Sequence, residues 1–163
     1  MGDGGWNCQR DRGAVHSSFH TTINVLEGLR EYVEASGRRA AEALAAEAAG
    51  REFFLRHKLY RSHRTGQVVK PQFTRFSFPP RWHHDVLRTL DYFRSSDAEY
   101  DARLEDPVEL VLRKRQANGR WRLQNRYPGR TFFELERVGA SSRWNTLRAL
   151  RVLDWINRAK RAA

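Results

Sequence analysis

Hydrophobic side chains recur with a helical rhythm in three stretches of this chain. Residues three or four apart lie on one face of an α-helix, so each stretch predicts an amphipathic helix. We call these stretches A segments. Their apolar positions are Ile23, Leu26, Leu29 and Val33 in the first, Trp82, Val86, Leu90 and Phe93 in the second, and Trp144, Leu147, Leu150, Leu153 and Ile156 in the third.

Two further helical stretches, the B segments, alternate with the A segments. The first reads "RRAAEALAAEAAG" and holds Leu44 as its only large apolar residue, which predicts a lightly packed outer helix. The second begins at Asp106-Pro107, because proline fits the first turn of a helix. Short turns near Gly37 and near Ser95-Ser96-Asp97 lead from A to B, whereas long irregular loops lead from B back to A.

The A segments resemble one another at a period of about 60 residues, which is typical of a helical-repeat protein. "NVLEGLREY" aligns with "DVLRTLDYF" at an offset of 61, and "RALRVLDWI" follows at an offset of 63. Predicted helix starts are Ser17-Ser18, Pro79-Pro80 and Ser141-Ser142. The fold class predicted is all-α, with antiparallel hairpins, A helices inside and B helices outside. The predicted boundaries within a single domain 1–163 are 1–16, 17–78, 79–140 and 141–163.

The B-to-A loops and the A-segment starts bring polar and aromatic side chains to one end of such a repeat, which we call the mouth. His83 and Asp85 are the candidate catalytic pair there, since a carboxylate can orient an imidazole for acid–base chemistry. Asp85 alternatively complements the helix dipole. His83 and His84 diverge by roughly 100° on a helix, so one should face the mouth and the other should pack. The candidate substrate-binding residues are Arg64, Trp82, Arg143, Trp144 and Asn145.

Arginines at the mouth predict an anion site, because guanidinium groups and free helix N–H groups both bind anions. The alternatives are a solvated basic rim for the arginines and a core role for Trp82 and Trp144. The arginines concerned are Arg64, Arg75, Arg81, Arg126, Arg130 and Arg143.

Two glycine turns add a family resemblance to this pattern. "QANGRW", from Gln116 to Trp121, and "GDGGW", from Gly2 to Trp6, resemble the repeat ends of the α/α-toroid superfamily, which includes squalene-hopene cyclases and protein prenyltransferase β subunits. The chain is most similar to a bacterial squalene cyclase-like branch. The resemblance implies part of an α/α toroid and a ligand that is apolar or isoprenoid with an anionic head. An open α-solenoid is the alternative fold.

The chain departs from that family in two ways. It lacks the Asp-x-Asp-Asp signature with which squalene-hopene cyclases protonate their substrate, so polyene cyclisation is not expected. It also has three A segments and two complete B segments, whereas a closed toroid needs about five to seven hairpins. We therefore expect it to form the C-terminal portion of a ring, and to pair with missing N-terminal repeats or to self-associate.

Composition narrows the partners and the location. The net charge is +11, from 30 basic and 19 acidic residues, but nucleic acid is the less favoured partner because only four of the basic residues are lysines and no basic tail is present. No apolar run is long enough to span a membrane. A single cysteine, Cys8, makes a reducing cytoplasm the expected location.

Metal binding has a minor candidate site near the start of the chain. Cys8, His16 and His20 have ligand chemistry that suits zinc, but the spacing lacks a fourth ligand and does not reproduce the prenyltransferase motif. No cofactor is therefore expected. Three functions stay open: an enzyme acting on an isoprenoid or another apolar molecule with an anionic head, a non-catalytic helical-repeat binding or structural fragment, and a basic nucleic-acid-binding domain.

Overall fold

Five α-helices occur among residues 1–36, 41–96 and 98–162, which the computed structural model describes. The predicted turn residues Gly37 and Asp97 lie outside these ranges. The helices alternate in chain order as the A and B segments predict, so the prediction of a mostly helical protein is confirmed. They are α1 (Phe19–Ser36), α2 (Ala41–Arg56), α3 (Val86–Ser95), α4 (Glu105–Arg113) and α5 (Arg143–Ala162).

The chain divides into two compact units, Met1–His57 and Lys58–Ala163, which we call unit 1 and unit 2. Unit 1 holds α1 and α2, and unit 2 holds α3, α4 and α5. The sequence placed its repeat boundaries elsewhere, at 16/17, 78/79 and 140/141, and those boundaries stay predictions.

An aromatic core joins the two helices of unit 1. Phe19, from the first turn of α1, contacts Phe53 and Phe54 of α2 edge to face, with ring centroids 5.1 and 5.7 Å apart. Trp6 packs at Gly50, where an added Cβ would lie 2.7 Å from the indole ring. Leu44 is 38% exposed, so the first half of α2 is lightly packed, as the alanine-rich sequence predicts.

In unit 2, α3 packs against both α4 and α5. Its buried residues include Leu87, Leu90 and Phe93. The only strands in the described residues form a two-residue antiparallel ladder, in which β1 (Trp121–Arg122) pairs with β2 (Ser141–Ser142). The ladder brings a glycine turn next to the start of α5.

The same turn and helix start recur in both units, and we call this arrangement the turn–cap motif. In unit 1 the amide of Trp6 donates to Thr22 Oγ1 at 3.1 Å, and in unit 2 the amide of Trp121 donates to Thr146 Oγ1 at 3.1 Å. Each threonine lies four residues after a serine. Those serines, Ser18 and Ser142, accept from the amides of Thr21 and Asn145 and so cap α1 and α5, as predicted.

The start of α3 differs from its prediction. Pro79-Pro80 was expected to open the helix, but α3 begins at Val86, with Asp85 as its N-cap. Arg81 has a φ of 51°, and a right-handed helix cannot pass through a residue in that conformation. Trp82 therefore precedes the helix instead of belonging to its apolar stripe.

The buried face of α5 also differs from its prediction. Leu147 and Leu150 belong to the apolar stripe of the sequence, yet they are 41% and 46% exposed. The helix buries Ala149 and Val152 together with Ile156, which does belong to the predicted stripe. Asn145 is fully buried on the same face, and its side-chain amide donates to the backbone oxygens of Phe76 and Arg122 at 3.3 and 3.2 Å.

Candidate ligand-binding surface

The carboxylate of Asp85 is fully buried and holds the start of α3 in place. It accepts from the amide of Arg88 at 2.9 Å, and from the amide and hydroxyl of Ser77 at 3.2 and 2.9 Å. Asp85 is therefore the N-cap of α3, a position that also suits the dipole-complementing alternative. The catalytic role of Asp85 stays a prediction.

The two adjacent histidines diverge, as expected. His84 is fully buried, with Nε2 2.9 Å from the carbonyl oxygen of Leu59 and Nδ1 2.9 Å from the hydroxyl of Thr89. His83 is half-buried and takes part in the surface described next. His84 therefore fixes the loop that precedes α3, while His83 marks the face turned toward solvent.

His83 lies between two aromatic rings. Its ring centroid is 3.6 Å from that of Trp82 and 3.4 Å from that of Tyr127, with interplanar angles of 27° and 9°. Two nearly parallel rings at such distances must occupy opposite faces of the imidazole, so the three rings form one stack. Trp82 is 58% exposed, which leaves much of the indole open to solvent.

Electrostatics favour the neutral forms of His83 and Tyr127. Burial lowers the pKa of His83 below its ordinary value of 6.5, and the positive charges of Arg88 and Arg81 lower it further. Burial raises the pKa of Tyr127, and the nearby charge of Asp85 acts in the same direction. The charges that shift His83 are both positive, which is the reverse of what a carboxylate partner would do to a catalytic histidine.

A second aromatic pair lies close to the first along the chain. Phe78 stacks on Trp144 of α5 with centroids 4.9 Å apart and an interplanar angle of 10°. Its neighbour Ser77 hydrogen-bonds Asp85 and also interacts with the phenol of Tyr127. We call the residues of the two stacks and the adjoining arginine the entrance surface: Phe78, Arg81, Trp82, His83, Tyr127 and Trp144.

The predicted substrate-binding residues divide into three groups. Trp82 and Trp144 belong to the entrance surface and are 58% and 40% exposed, so neither is the core anchor that the sequence allowed. Arg143 precedes Trp144 and is exposed; its amide donates to Glu136 Oε1 at 2.6 Å, and its Nε lies 3.8 Å from the same oxygen. Asn145 is fully buried. Arg64 is exposed, and among the described residues no hydrogen bond or ion pair connects it to the entrance surface.

The helix starts themselves hold fewer open N–H groups than predicted. In α3 the carboxylate of Asp85 accepts from the amide of Arg88. In α5 the amides of Arg143 and Asn145 donate to Glu136 and Ser142. These three amides therefore have partners within the chain.

Tyr127 and Phe78 are the components of the surface that the sequence did not predict. Tyr127 lies 44 positions after His83 in an irregular segment, and neither periodicity nor capping marks it. The only local signal is the following Pro128-Gly129 turn. Gly129 has a φ of 145°, and an added Cβ would lie 2.1 Å from Arg81 Nη1, so this glycine lets the segment approach the entrance surface.

The metal candidates in unit 1 show other contacts. Cys8 is exposed, and the carbonyl oxygen of His16 accepts from the side chain of Asn7 at 2.8 Å. Across residues 1–36, 41–96 and 98–162, no group of three or more His, Cys, Asp or Glu side chains is placed to hold a metal ion. Zinc binding by Cys8, His16 and His20 stays the minor alternative to the expectation of no cofactor.

Comparisons with protein-family models, with curated proteins and with solved structures gave no significant match. Of the helices that the structure describes, none combines the length and the apolar character needed to cross a membrane. The toroid resemblance therefore depends on the sequence motifs alone.

Proposed function

We propose that this chain is a non-catalytic binding module related to the α/α toroids, and that its entrance surface binds a molecule that combines an apolar or aromatic body with an anionic group. An isoprenoid diphosphate is one member of this class. The observation that carries the proposal is the stack of Trp82, His83 and Tyr127, with Trp82 exposed beside Arg81. A flat ring supplies apolar contact, and a guanidinium supplies forked hydrogen bonds to phosphate or carboxylate.

The turn–cap motif supports the relation to toroids. Its hydrogen bonds tie a glycine turn after one hairpin to the next A helix, and the same bonds occur around Trp6 and around Trp121. A third copy is altered. Thr89 lies four residues after Asp85, the N-cap of α3, but its hydroxyl lies 2.9 Å from His84 Nδ1.

Binding is favoured over catalysis because the predicted acid–base pair has other partners. The carboxylate of Asp85 accepts three hydrogen bonds from Ser77 and Arg88, and it is fully buried. His83 stacks between two rings with a lowered pKa. A general base oriented by a carboxylate needs a hydrogen bond between the two groups, and catalytic tuning places its pKa near the working pH.

Titration with farnesyl diphosphate tests the proposal. Farnesol lacks the anionic head and pyrophosphate lacks the apolar body, so these two compounds are the comparison probes. We expect the diphosphate to bind most tightly, and Trp82→Ala to weaken that binding. The matched control is Tyr32→Ala, which removes a 54% exposed aromatic side chain from α1 in unit 1. Equal binding by the Trp82→Ala protein would contradict the proposal, provided that circular dichroism shows the same helicity.

The enzyme alternative is tested on the same ligand. Incubation of the chain with farnesyl diphosphate, followed by chromatography, should return the unchanged compound. Turnover that disappears in a folded Asp85→Asn variant would assign catalysis to the predicted pair and overturn the non-catalytic function.

A further inference from the structure

Exposed aromatic rings follow arginines at three places in unit 2. Trp82 follows Arg81 and Trp144 follows Arg143, with the two indoles 58% and 40% exposed. The third place is "RTFF", from Arg130 to Phe133, where Phe132 is completely exposed and Phe133 is 69% exposed. Large aromatic side chains are costly to leave in water, so their repetition on one unit marks an interaction surface.

The three places belong to one region of unit 2. Tyr127 stacks on His83, and Gly129 lies against the guanidinium of Arg81, so the segment that carries the phenylalanines starts at the entrance surface. Phe132 is three residues beyond Gly129, within about 10 Å of extended chain. On the other side, Phe78 stacks on Trp144.

Acidic side chains in this region are already engaged. Asp85 is buried as the N-cap of α3, and Glu134 forms an ion pair with Arg126. The side chain of Glu136 is 8% exposed; it accepts from the amide of Arg143 and lies 3.8 Å from Nε of the same residue, whose side chain stays 80% exposed. The chain as a whole carries a charge of +11, far more than one small anionic head requires. The positive charge is therefore suited to a polyanion.

We infer that the ligand of the entrance surface is a single-stranded nucleic acid, with unpaired bases stacking on Trp82 and Trp144 and phosphates lying against the neighbouring arginines. This inference rests on the proposed function and names its ligand class. Exposed aromatic rings combined with a basic surface are how proteins bind single strands without strong sequence preference. In a duplex the bases are already stacked on one another, so the rings favour the single strand. This inference departs from the sequence-based preference against nucleic acid, and the exposed rings are the reason.

Fluorescence anisotropy of a labelled oligothymidylate tests the inference on the full chain, with an oligonucleotide of about 15 nucleotides, within the usual span of such sites. We expect binding that weakens steeply between 50 and 200 mM salt, roughly as counterion release requires. Trp82→Ala should weaken binding about tenfold, whereas Trp82→Phe should retain most of it because a ring is kept. Tyr32→Ala, the exposed aromatic control in unit 1, should bind like the parent chain.

Several results would overturn this inference. One is that Trp82→Ala leaves the binding of oligothymidylate unchanged. Another is that a duplex of the same length binds equally tightly. A third is that the chain binds phosphatidylserine vesicles but not the oligonucleotide. If farnesyl diphosphate binds in a Trp82-dependent manner and the oligonucleotide does not, the nucleic-acid inference fails and the proposed function stands. If neither ligand depends on Trp82, both fail.

Discussion

The turn–cap motifs of unit 1 and unit 2 share the same hydrogen bonds from backbone amides to side-chain hydroxyls, but they expose different side chains. Directly after the N-cap serine, unit 1 has Phe19, which is buried in its aromatic core. Unit 2 has Arg143 at the position of Phe19 and Trp144 at the position of the half-buried His20, and both Arg143 and Trp144 are exposed. A shared local structure thus serves packing in one unit and presents an aromatic ring and a charge to solvent in the other. This contrast is why we assign ligand binding to unit 2.

The two tryptophans of the motif also differ in how deeply they are buried. Trp121 is fully buried, and its Nε1 donates to the carbonyl oxygen of Val111 at 2.7 Å. Trp6 is half-buried and lies against Gly50. The motif in unit 2 should therefore contribute more to stability than the motif in unit 1.

Truncation of these tryptophans should produce the largest difference between the units. We expect Trp121→Ala to lower the free energy of unfolding by about 3–5 kcal/mol, because it removes a buried aromatic side chain and leaves a cavity. Trp6→Ala should cost less, since part of the indole is already in water. Urea unfolding of the full chain measures both, with Trp82→Ala as an exposed control that changes stability little. An equal or larger loss for Trp6→Ala would contradict the comparison.

Substitution of the turn glycines by alanine should destabilise the chain more in unit 1 than in unit 2, the reverse of the order expected for the tryptophans. Gly4 has a φ of 96°, and an added Cβ would lie 2.7 Å from the backbone oxygen of Ala49. Gly119 has a φ of 77°, and its nearest neighbour is the flexible side chain of Arg115 at 3.4 Å. Both alanine variants incur about 1 kcal/mol or more of backbone strain, and Gly4→Ala adds a backbone clash. Thermal melts that show Gly119→Ala to be the more damaging change would be inconsistent with this geometry.

Removal of the N-cap hydroxyls should have a smaller effect in both units. Ser142→Ala and Ser18→Ala each remove a side-chain acceptor from the first turn, typically at a cost of about 1 kcal/mol. Ser142 is fully buried and its bond to the Asn145 amide is 2.9 Å, whereas Ser18 is half-buried with a bond of 3.3 Å. We therefore expect the larger loss for Ser142→Ala, as measured by hydrogen exchange of the first-turn amides. Identical losses would show that burial does not strengthen this cap.

The smallest effect concerns the pH dependence of unit 2. The pKa of His83 is lowered in the folded chain. Below pH 6.5, the unfolded chain therefore binds a proton at this residue more readily than the folded chain does. The His83 contribution to stability is therefore present above that pH and is lost as the pH falls below 6.5 toward the folded pKa. Hydrogen exchange between pH 7 and 5 should show this loss in the amides of unit 2, and His83→Phe should remove it. A loss that persists in His83→Phe would assign the effect to another group.

The sequence by itself determined the helices and their serine caps. Amphipathic periodicity and capping act between residues a few positions apart, so α1, α5, Ser18 and Ser142 could be predicted from the chain alone. The Trp residues of the glycine turns were also visible, because their motif is short and repeated.

Only the tertiary structure decided which face of α5 is buried, where α3 begins and which rings meet at the entrance surface. On the buried face of α5, Asn145 bonds to the distant backbone oxygens of Phe76 and Arg122. Asp85 caps α3 and also accepts hydrogen bonds from Ser77. Tyr127 reaches His83 across 44 residues of chain. Such contacts form when the helices pack and buried polar groups find partners far away in the chain. Local sequence patterns do not indicate which residues those partners are.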